Sequence, residues 1–576
     1  MKHHFFIIIC IAILIFIGAL IDRSVLFKDL KKDVQKITIP SPPIQYDRLN
    51  KILKNLGFKL NYPKDYSNFR DAQTGQFELS DIISLALSSQ TLSHEWQSLS
   101  DVAFDQYPSS LVMDPQIVAK KGSILSAVID ETDLYDPSTG IMVNHLRKGH
   151  SWERPCFISY YDNGELLFAT GAGVRMHGLS RTMEEFWPLR FYFRDLYGYD
   201  QFKPGILFSP DSVPIKQVIA RRELHYISTL AMDLADQIGC LTPDRKPAMF
   251  YLNGSHYGGG QYYVLIEHLN DKWLQSRYGH TNYTIIRTTG HHDERKNNPD
   301  FQRLYKWCRD KGARMTMEEV GKRVDIENFS RWWISQLYTA GYDMYQGPLV
   351  LDKNNPDAKW FTINWDMDGA FDNGAEPEKD EIWQKENCFY NVMMDPVRIR
   401  DDRKLGRYHP DDPRGILFRR MYQDDPAYRT YFERLLMDTL NHRLSPQFLE
   451  QWFQRRSREI LALYPSEKSF LEDKLHPFIA HRSAYLRELM QKYWGSAESY
   501  ACSVEGIVNK TVTIDGVTYD HDYKGWYFKG STITVAATDT DGQIDHWLIN
   551  GKKVASNQTR LSYTIDTTIT IRPVFK

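Results

Sequence analysis

Cysteine is scarce in this chain, with six in 576 residues. Cys10 sits in an N-terminal apolar stretch, and Cys156, Cys240, Cys308, Cys388 and Cys502 are far apart, with no C-x-x-C pair. That spacing argues against a zinc site or a dense disulfide framework and predicts isolated buried thiols. Charge of one sign is also missing. The net charge is -2 and no block of like charge stands out, so a nucleic-acid partner, which needs a basic excess or stripe, is not expected. One long apolar run occurs, at residues 5–21. It is longer than a usual signal-peptide core and barely long enough to cross a bilayer, and no good A-x-A cleavage site follows it. The expectation is an uncleaved signal anchor at 1–22 that attaches the protein to a membrane, with a cleaved signal as the alternative. Lys2 precedes the run and Arg23, Lys28, Lys31 and Lys32 follow it, a distribution that favours a cytoplasmic body. Export signals of this type usually send the C-terminal part out, and an extracytoplasmic body is the favoured reading.

What is present is an ordinary globular composition, 42% hydrophobic and 25% charged, long enough for more than one domain. Residues 23–121 read as a charged, then Pro-rich stalk and an N-terminal extension without an assignable role. From Ser123 short β-like runs (ILSAVI, PCFISYY, LLFATG, GVRMHG, LRFYFR) are separated by turn residues. Helical periodicity is expected over 220–239, where Leu224, Ile227, Leu230, Ala231 and Leu234 repeat at helix spacing and Gly239 is a natural stop. AMFYLNG and QYYVLIEHL read as strands, and YRTYFERLLMDTLNHRL and FIAHRSAYLRELMQKYW as amphipathic helices. From about residue 501 the pattern changes to short strands with Gly and Asp turns, predicting a small β-sandwich at 501–576.

The most informative stretch is YDMYQGPLVLDKNNPDAKWFTINWDMDGAF, residues 342–371. KNNPDA is a turn by composition, because Asn and Asp tolerate unusual φ and Pro fixes it. PLVLD and KWFTINW flank it as strands. A hairpin folded about Asn355 sets Asp343 opposite Asp368 and Tyr345 opposite Asp366. If the second strand persists that far, alternation points Asp366 and Asp368 to the same side. Three carboxylates would then cluster, an arrangement that needs a cation. The bland alternative is an Asp-x-Asp in an exposed turn.

Further segments follow in order: AVIDETDLYDPSTGI, RKGHSWERP, GVRMHGLSR, YGYDQFKPGILF, YLNGSHYGGGQYYVLIEHLNDKWL, VDIENFSRWWISQLYTAGYD, KWFTINWDMDGAF and FIAHRSAYLRELM. Over about 124–493 this series resembles the CotH family of spore-coat kinase-like proteins. The resemblance implies an α+β fold class, an atypical protein-kinase-like two-lobed domain at 122–500 followed by the C-terminal β-sandwich. It implies transfer of the γ-phosphoryl group of ATP to a hydroxyl, with a protein of the cell envelope as the expected substrate. Asp343 matches the family's catalytic Asp, Asp366 its first metal-binding Asp, and Asp368 is placed to assist. Mg²⁺ or Mn²⁺ is the implied ion. Arg175 and Arg181 are candidates to hold phosphates, with Arg190 the nearest cation after them. Glu267 is a candidate partner for a phosphate-binding cation. Arg175 and Arg181 pairing with acidic neighbours, and Glu267 in an ordinary ion pair, are equally open.

The chain also departs from the family pattern. After the S-R pair it reads TMEEFWPLR, without the usual lysine, and Pro348 stands where a kinase catalytic loop carries Asn. A catalytically inactive scaffold or adhesion protein of the cell surface is the alternative. The HH pair at 291–292 and the GGG at 258–260 read as a solvated loop and a tight turn.

Overall fold

The computed structural model describes residues 43–44 and 77–78 and, from 122 to 575, all but 130, 179–187, 195–200, 203–204, 209–212, 253–254, 258–261, 288–291, 311, 342–343, 372–411, 538–543 and 555–558. Residues 5–21 lie outside that set. Among the described residues, no helix is long and apolar enough to cross a membrane. The fold is mixed α+β with several sheets. The chain divides into two units, Met1–Tyr226 with Pro243–Thr281 and Glu459–Pro465, and Ile227–Thr242 with Asn282–Arg458 and Ser466–Lys576.

In the first unit, β1 (Pro43–Ile44) pairs with β2 (Phe77–Glu78). The main sheet is built from β3 (Ser123–Val128), β4 (Arg154–Asp162), β5 (Glu165–Met176), β6 (Leu189–Tyr192), β7 (Gln217–Arg222), β8 (Arg245–Leu252), β9 (Ser255–His256) and β10 (Tyr263–Glu267). β10 pairs with both β7 and β8, and β8 pairs in parallel with β3, so the ladder from β3 through β7 closes on itself and leaves β9 on the outside. Closure removes the exposed edges on which other chains pair. Phe168, Phe191, Phe202, Phe250 and Tyr263 fill the core beneath it. The β-rich reading of this region holds, with one difference: LLFATG and GVRMHG are parts of a single strand, β5, whose glycines continue the ladder to β4 instead of turning.

The expected helix over 220–239 is shorter. Residues 217–222 form β7, hydrogen-bonded to β6 and β10. Leu224, counted in the helical repeat, is 51% exposed. His225 and Tyr226 turn the chain with φ of 49° and 54°, and helix α1 runs only over Ile227–Ile238. The apolar residues Val218, Ile219 and Ala220 suit either period, and strand partners on both sides decide the outcome. Gly239, at φ 95°, stops α1 as expected.

The second unit holds α1, α2 (Ile326–Tyr338), α3 (Pro413–Asp424), α4 (Pro426–Asp438) and α5 (His476–Trp494). A π-helical turn, Thr439–Arg443, continues α4. A small sheet joins β11 (Tyr283–Ile286), β12 (Leu349–Asp352) and β13 (Phe361–Thr362). The remaining strands form two sheets. One orders β17 (Tyr523–Phe528), β14 (Ser499–Val504), β22 (Ile569–Phe575), β19 (Ile544–Ile549) and β20 (Lys552–Val554). The other orders β16 (Val517–Tyr519), β15 (Val512–Ile514), β18 (Thr532–Ala537) and β21 (Arg560–Thr564). Both contribute to one apolar core containing Val504, Ile514, Ile533, Trp547 and Ile571. Asp515–Gly516 and Asn550–Gly551 make two-residue hairpin turns with both residues at positive φ, the geometry that matches strand twist. Cys156, Cys240, Cys308 and Cys502 are buried free thiols.

Candidate functional site

The hairpin forms in the expected register. Leu349 pairs with Thr362 and Val350 with Phe361. Its turn is held by the chemistry that the composition implies: Asp352 accepts from the Asn354 N–H at 2.8 Å and Asn355 from the Asp357 N–H at 2.9 Å. The second strand does not persist to the acids, which corrects the alternation reading. β13 ends at Thr362, Ile363 bridges to Leu241, and the Asn364 N–H donates to the Leu241 carbonyl at 2.8 Å. The Ile363 N–H keeps its hairpin partner, the Pro348 carbonyl, and the tertiary partner takes over at Asn364. Asp366 then adopts φ 56°, a left-handed conformation, so strand alternation cannot assign its direction relative to Asp368. Asp366 is half-buried and Asp368 exposed.

Two hydrogen bonds tie the segment carrying Asp366 and Asp368 to the segment carrying Asp343. The Ile363 N–H donates to the Pro348 carbonyl at 3.2 Å, and the Phe371 N–H donates to the Thr339 carbonyl at 2.7 Å. Asp343 itself lies outside the described residues, but the chain on both sides of it is described and fixed. Gly347 sits so close to the facing segment that an added Cβ would come 2.0 Å from the Ile363 carbonyl oxygen. Ala340 and Phe371 also adopt positive φ, 56° and 53°. Non-glycine residues hold that conformation at a cost and do so often at functional loops. Asn364 is buried and donates to the Ser335 hydroxyl at 2.9 Å, and the Ser228 hydroxyl accepts from the Met367 N–H at 3.0 Å.

The scaffold of this loop comes from α2, α3 and α5. Asp325 caps α2 by accepting from the Asn328 N–H at 3.0 Å. Asn328 in turn clamps Thr362, accepting from its N–H at 2.7 Å and donating to its carbonyl at 3.1 Å. Arg414, only 1% exposed, pairs with Asp412 and donates to the Gly347 and Tyr345 carbonyls at 2.8 and 3.1 Å. Arg482, fully buried, donates to the Leu337 and Tyr338 carbonyls at 2.7 and 2.9 Å. Two buried guanidiniums therefore fix the end of α2 and the loop that follows it. Neither was a candidate from sequence, because their carbonyl partners are more than sixty residues away in the chain.

In the first unit, three guanidiniums gather at the Tyr192 ring, with Arg175, Arg190 and Arg194 at 4.2, 5.1 and 5.2 Å from its centroid. Arg175 and Arg190 face each other across β5 and β6. Glu153 accepts from Arg175 at 2.9 Å and from Arg194 at 2.8 Å. Burial alone would raise the Glu153 carboxyl, but the Arg194 and Arg175 hydrogen bonds overcome it and hold the group below its ordinary range. Arg175 is thus engaged with an acidic neighbour, one of the two readings its sequence context allowed. Arg194 and Glu153 were not anticipated. Arg181 lies outside the described residues.

Glu267 ends β10 and is buried. It accepts from Arg277 at 2.6 Å, from the Trp273 indole at 2.8 Å and from the Asp244 N–H at 2.9 Å. Burial pushes its carboxyl up, with the Arg277 charge opposing. Its cation partner is Arg277, which also lies over the Trp273 ring at 4.0 Å.

Residues 227–475 match the family model described as CotH kinase protein. This chain carries a CotH domain. The match starts at α1 and ends just before α5, a narrower span than 124–493. Inner spore coat protein H of Bacillus subtilis (strain 168) is 24% identical over 179 residues, 30% of this chain and 42% of that protein. The chain thus aligns with less than half of that relative's length. The CotH match contains Asp343, Asp366 and Asp368, whereas Arg175, Arg181 and Arg190 precede it.

Proposed function

We propose that this CotH-domain protein is an ATP-dependent kinase that transfers the γ-phosphoryl group to a hydroxyl on an envelope or surface protein. The observation that carries the reading is the doubly tied pair of segments: the loop bearing Asp366 and Asp368 is hydrogen-bonded at both ends to the chain flanking Asp343. Phosphoryl transfer needs cation-binding carboxylates beside a carboxylate that orients the acceptor hydroxyl. Asp343 takes that orienting role and accepts the hydroxyl proton. Asp366, assisted by Asp368, offers the hard oxygen donors suited to Mg²⁺ or Mn²⁺, which when bound neutralises phosphate charge. Arg175, Arg181 and Arg190 are assigned to the phosphates, because guanidiniums match phosphate geometry, and Glu267 to holding a cation near them. The same reading takes the fold as atypical protein-kinase-like and two-lobed, the C-terminal sheets as an Ig-like sandwich, and residues 5–21 as an anchor that leaves the body outside the cytoplasm.

A second reading, an inactive kinase-like scaffold, is favoured by particular residues. TMEEFWPLR supplies no lysine, Pro348 uses its carbonyl to hold the hairpin, and Arg175 is occupied by Glu153. Thermal shift with ATP and Mg²⁺ or Mn²⁺ separates the two. The kinase gains stability with nucleotide, and Asp343→Asn keeps that gain while losing transfer. Absence of any nucleotide effect at every metal concentration favours the scaffold. Protease accessibility on intact cells tests the membrane side: digestion of the body is expected, and full protection contradicts an outward orientation.

A further inference from the structure

A second group of ligating side chains lies away from the hairpin, where α4 meets the C-terminal sheets. Asp438 is the last residue of α4, His442 sits in the π-helical turn that follows, and Asp515 opens the Asp-Gly turn between β15 and β16. Asp438 and His442 are four residues apart, the spacing that brings two side chains to one helical face. One ring nitrogen of His442 and one carboxylate oxygen from each Asp all lie within 4.8 Å of one another. Hydrogen bonds and stacking hold two of these side chains, Asp515 and His442. Asp515 accepts from the Thr534 N–H at 2.9 Å and from the Tyr527 hydroxyl at 3.0 Å. His442 stacks on Tyr523 at 5.6 Å, and its Nδ1 meets the Tyr519 hydroxyl at 2.5 Å. The other ring nitrogen, Nε2, is sealed from solvent and has no hydrogen-bond partner. Arg434 stands 3.8 Å from Asp438, but its side chain is 70% exposed.

Two features here need an explanation. A sealed imidazole nitrogen without a partner loses its hydration with nothing in return. Two half-buried carboxylates facing one another repel. One ligand would relieve both. The π-helical turn is itself a device that recurs at functional sites.

We propose that Asp438, His442 and Asp515 bind a divalent transition-metal ion of the zinc class, which clips the C-terminal sheets to α4. The donor set, one imidazole and two carboxylates, suits Zn²⁺, whereas Mg²⁺ and Ca²⁺ take oxygen donors. Water completes the coordination. Asn441, next to His442, already joins the same elements, accepting from the Trp526 N–H at 2.9 Å and donating to its carbonyl at 2.7 Å. An ion would reinforce that junction. The site is independent of phosphoryl transfer.

The test is Zn²⁺ titration of the metal-free, untagged full chain, followed by calorimetry and by thermal unfolding. His442→Gln and Asp438→Asn keep the shape of each side chain. Wild type is expected to bind Zn²⁺ and to unfold at higher temperature with it. His442→Gln and Asp438→Asn should each weaken binding at least tenfold and lose that shift. Co²⁺ should give a visible ligand-field spectrum in wild type that His442→Gln abolishes. No Zn²⁺-dependent shift in wild type, or equal Zn²⁺ affinity in the His442 and Asp438 variants, overturns the proposal.

Discussion

Arg414 shows how much one side chain holds in this molecule. It balances the buried Asp412 carboxylate, satisfies two carbonyls of the loop after Asp343, and lies 4.8 Å from the Trp332 ring. Arg414→Met should destabilise the protein by about 3–5 kcal/mol, since it strands a buried carboxylate. Arg414→Lys should not rescue it, because an ammonium cannot reproduce the planar fork. Denaturant unfolding measures both, and an unchanged midpoint would contradict the anchoring role. Glu153 makes a pH-dependent prediction. Its folded-state carboxyl titrates below its ordinary value of 4.5, so its contribution is present above that value and is lost as pH falls through the lower, folded one. Glu153→Gln should lower thermal stability at pH 7 by about 2–3 kcal/mol, and the gap to wild type should close below pH 4.5. A gap that stays constant with pH would rule out the ion-pair origin. The residues that sequence reading named, Asp366 and Asp368 among them, stand out by local pattern. Arg414, Arg482 and Glu153 do not, because long-range carbonyls and ion pairs give them meaning.

Among the elements, the hairpin was the most legible because its turn writes its own register. Asp352, Asn354, Asn355 and Asp357 form the turn through local hydrogen bonds, so pairing followed from composition alone. The length of β13 was not legible. Leu241, distant in sequence, bridges Ile363 and accepts from the Asn364 N–H, and the alternation ends before Asp366. The start of α1 was missed for a similar reason, since Val218, Ile219 and Ala220 fit a strand once β6 and β10 flank them. Gly347 tests the element directly. Gly347→Ala places a methyl against the Ile363 carbonyl and should cost about 2–3 kcal/mol or more through forced backbone movement. It should also reduce any transferase activity more than it reduces folding. Normal stability in that variant would mean that the two segments are not held together as described.

At the scale of the whole molecule, the C-terminal sheets were readable from Gly and Asp turns spaced along short strands. Their attachment was not, because Asn441 and Trp526 are 85 residues apart. Asn441→Ala should leave the sheets folded, with Trp547 and its neighbours still buried, yet raise the rate at which limited proteolysis separates them from the body. Equal proteolysis rates would show that other contacts carry the junction. The match to the CotH kinase protein model over residues 227–475 contains the hairpin acids on which the proposed function rests. Transfer of labelled phosphate from ATP, with Mg²⁺ or Mn²⁺, by the full chain and by its Asp366→Ala variant decides this. Label should move to a protein hydroxyl with the wild type and vanish with the variant. Equal labelling by both, or none by either in the presence of envelope proteins, would contradict a kinase built on that hairpin.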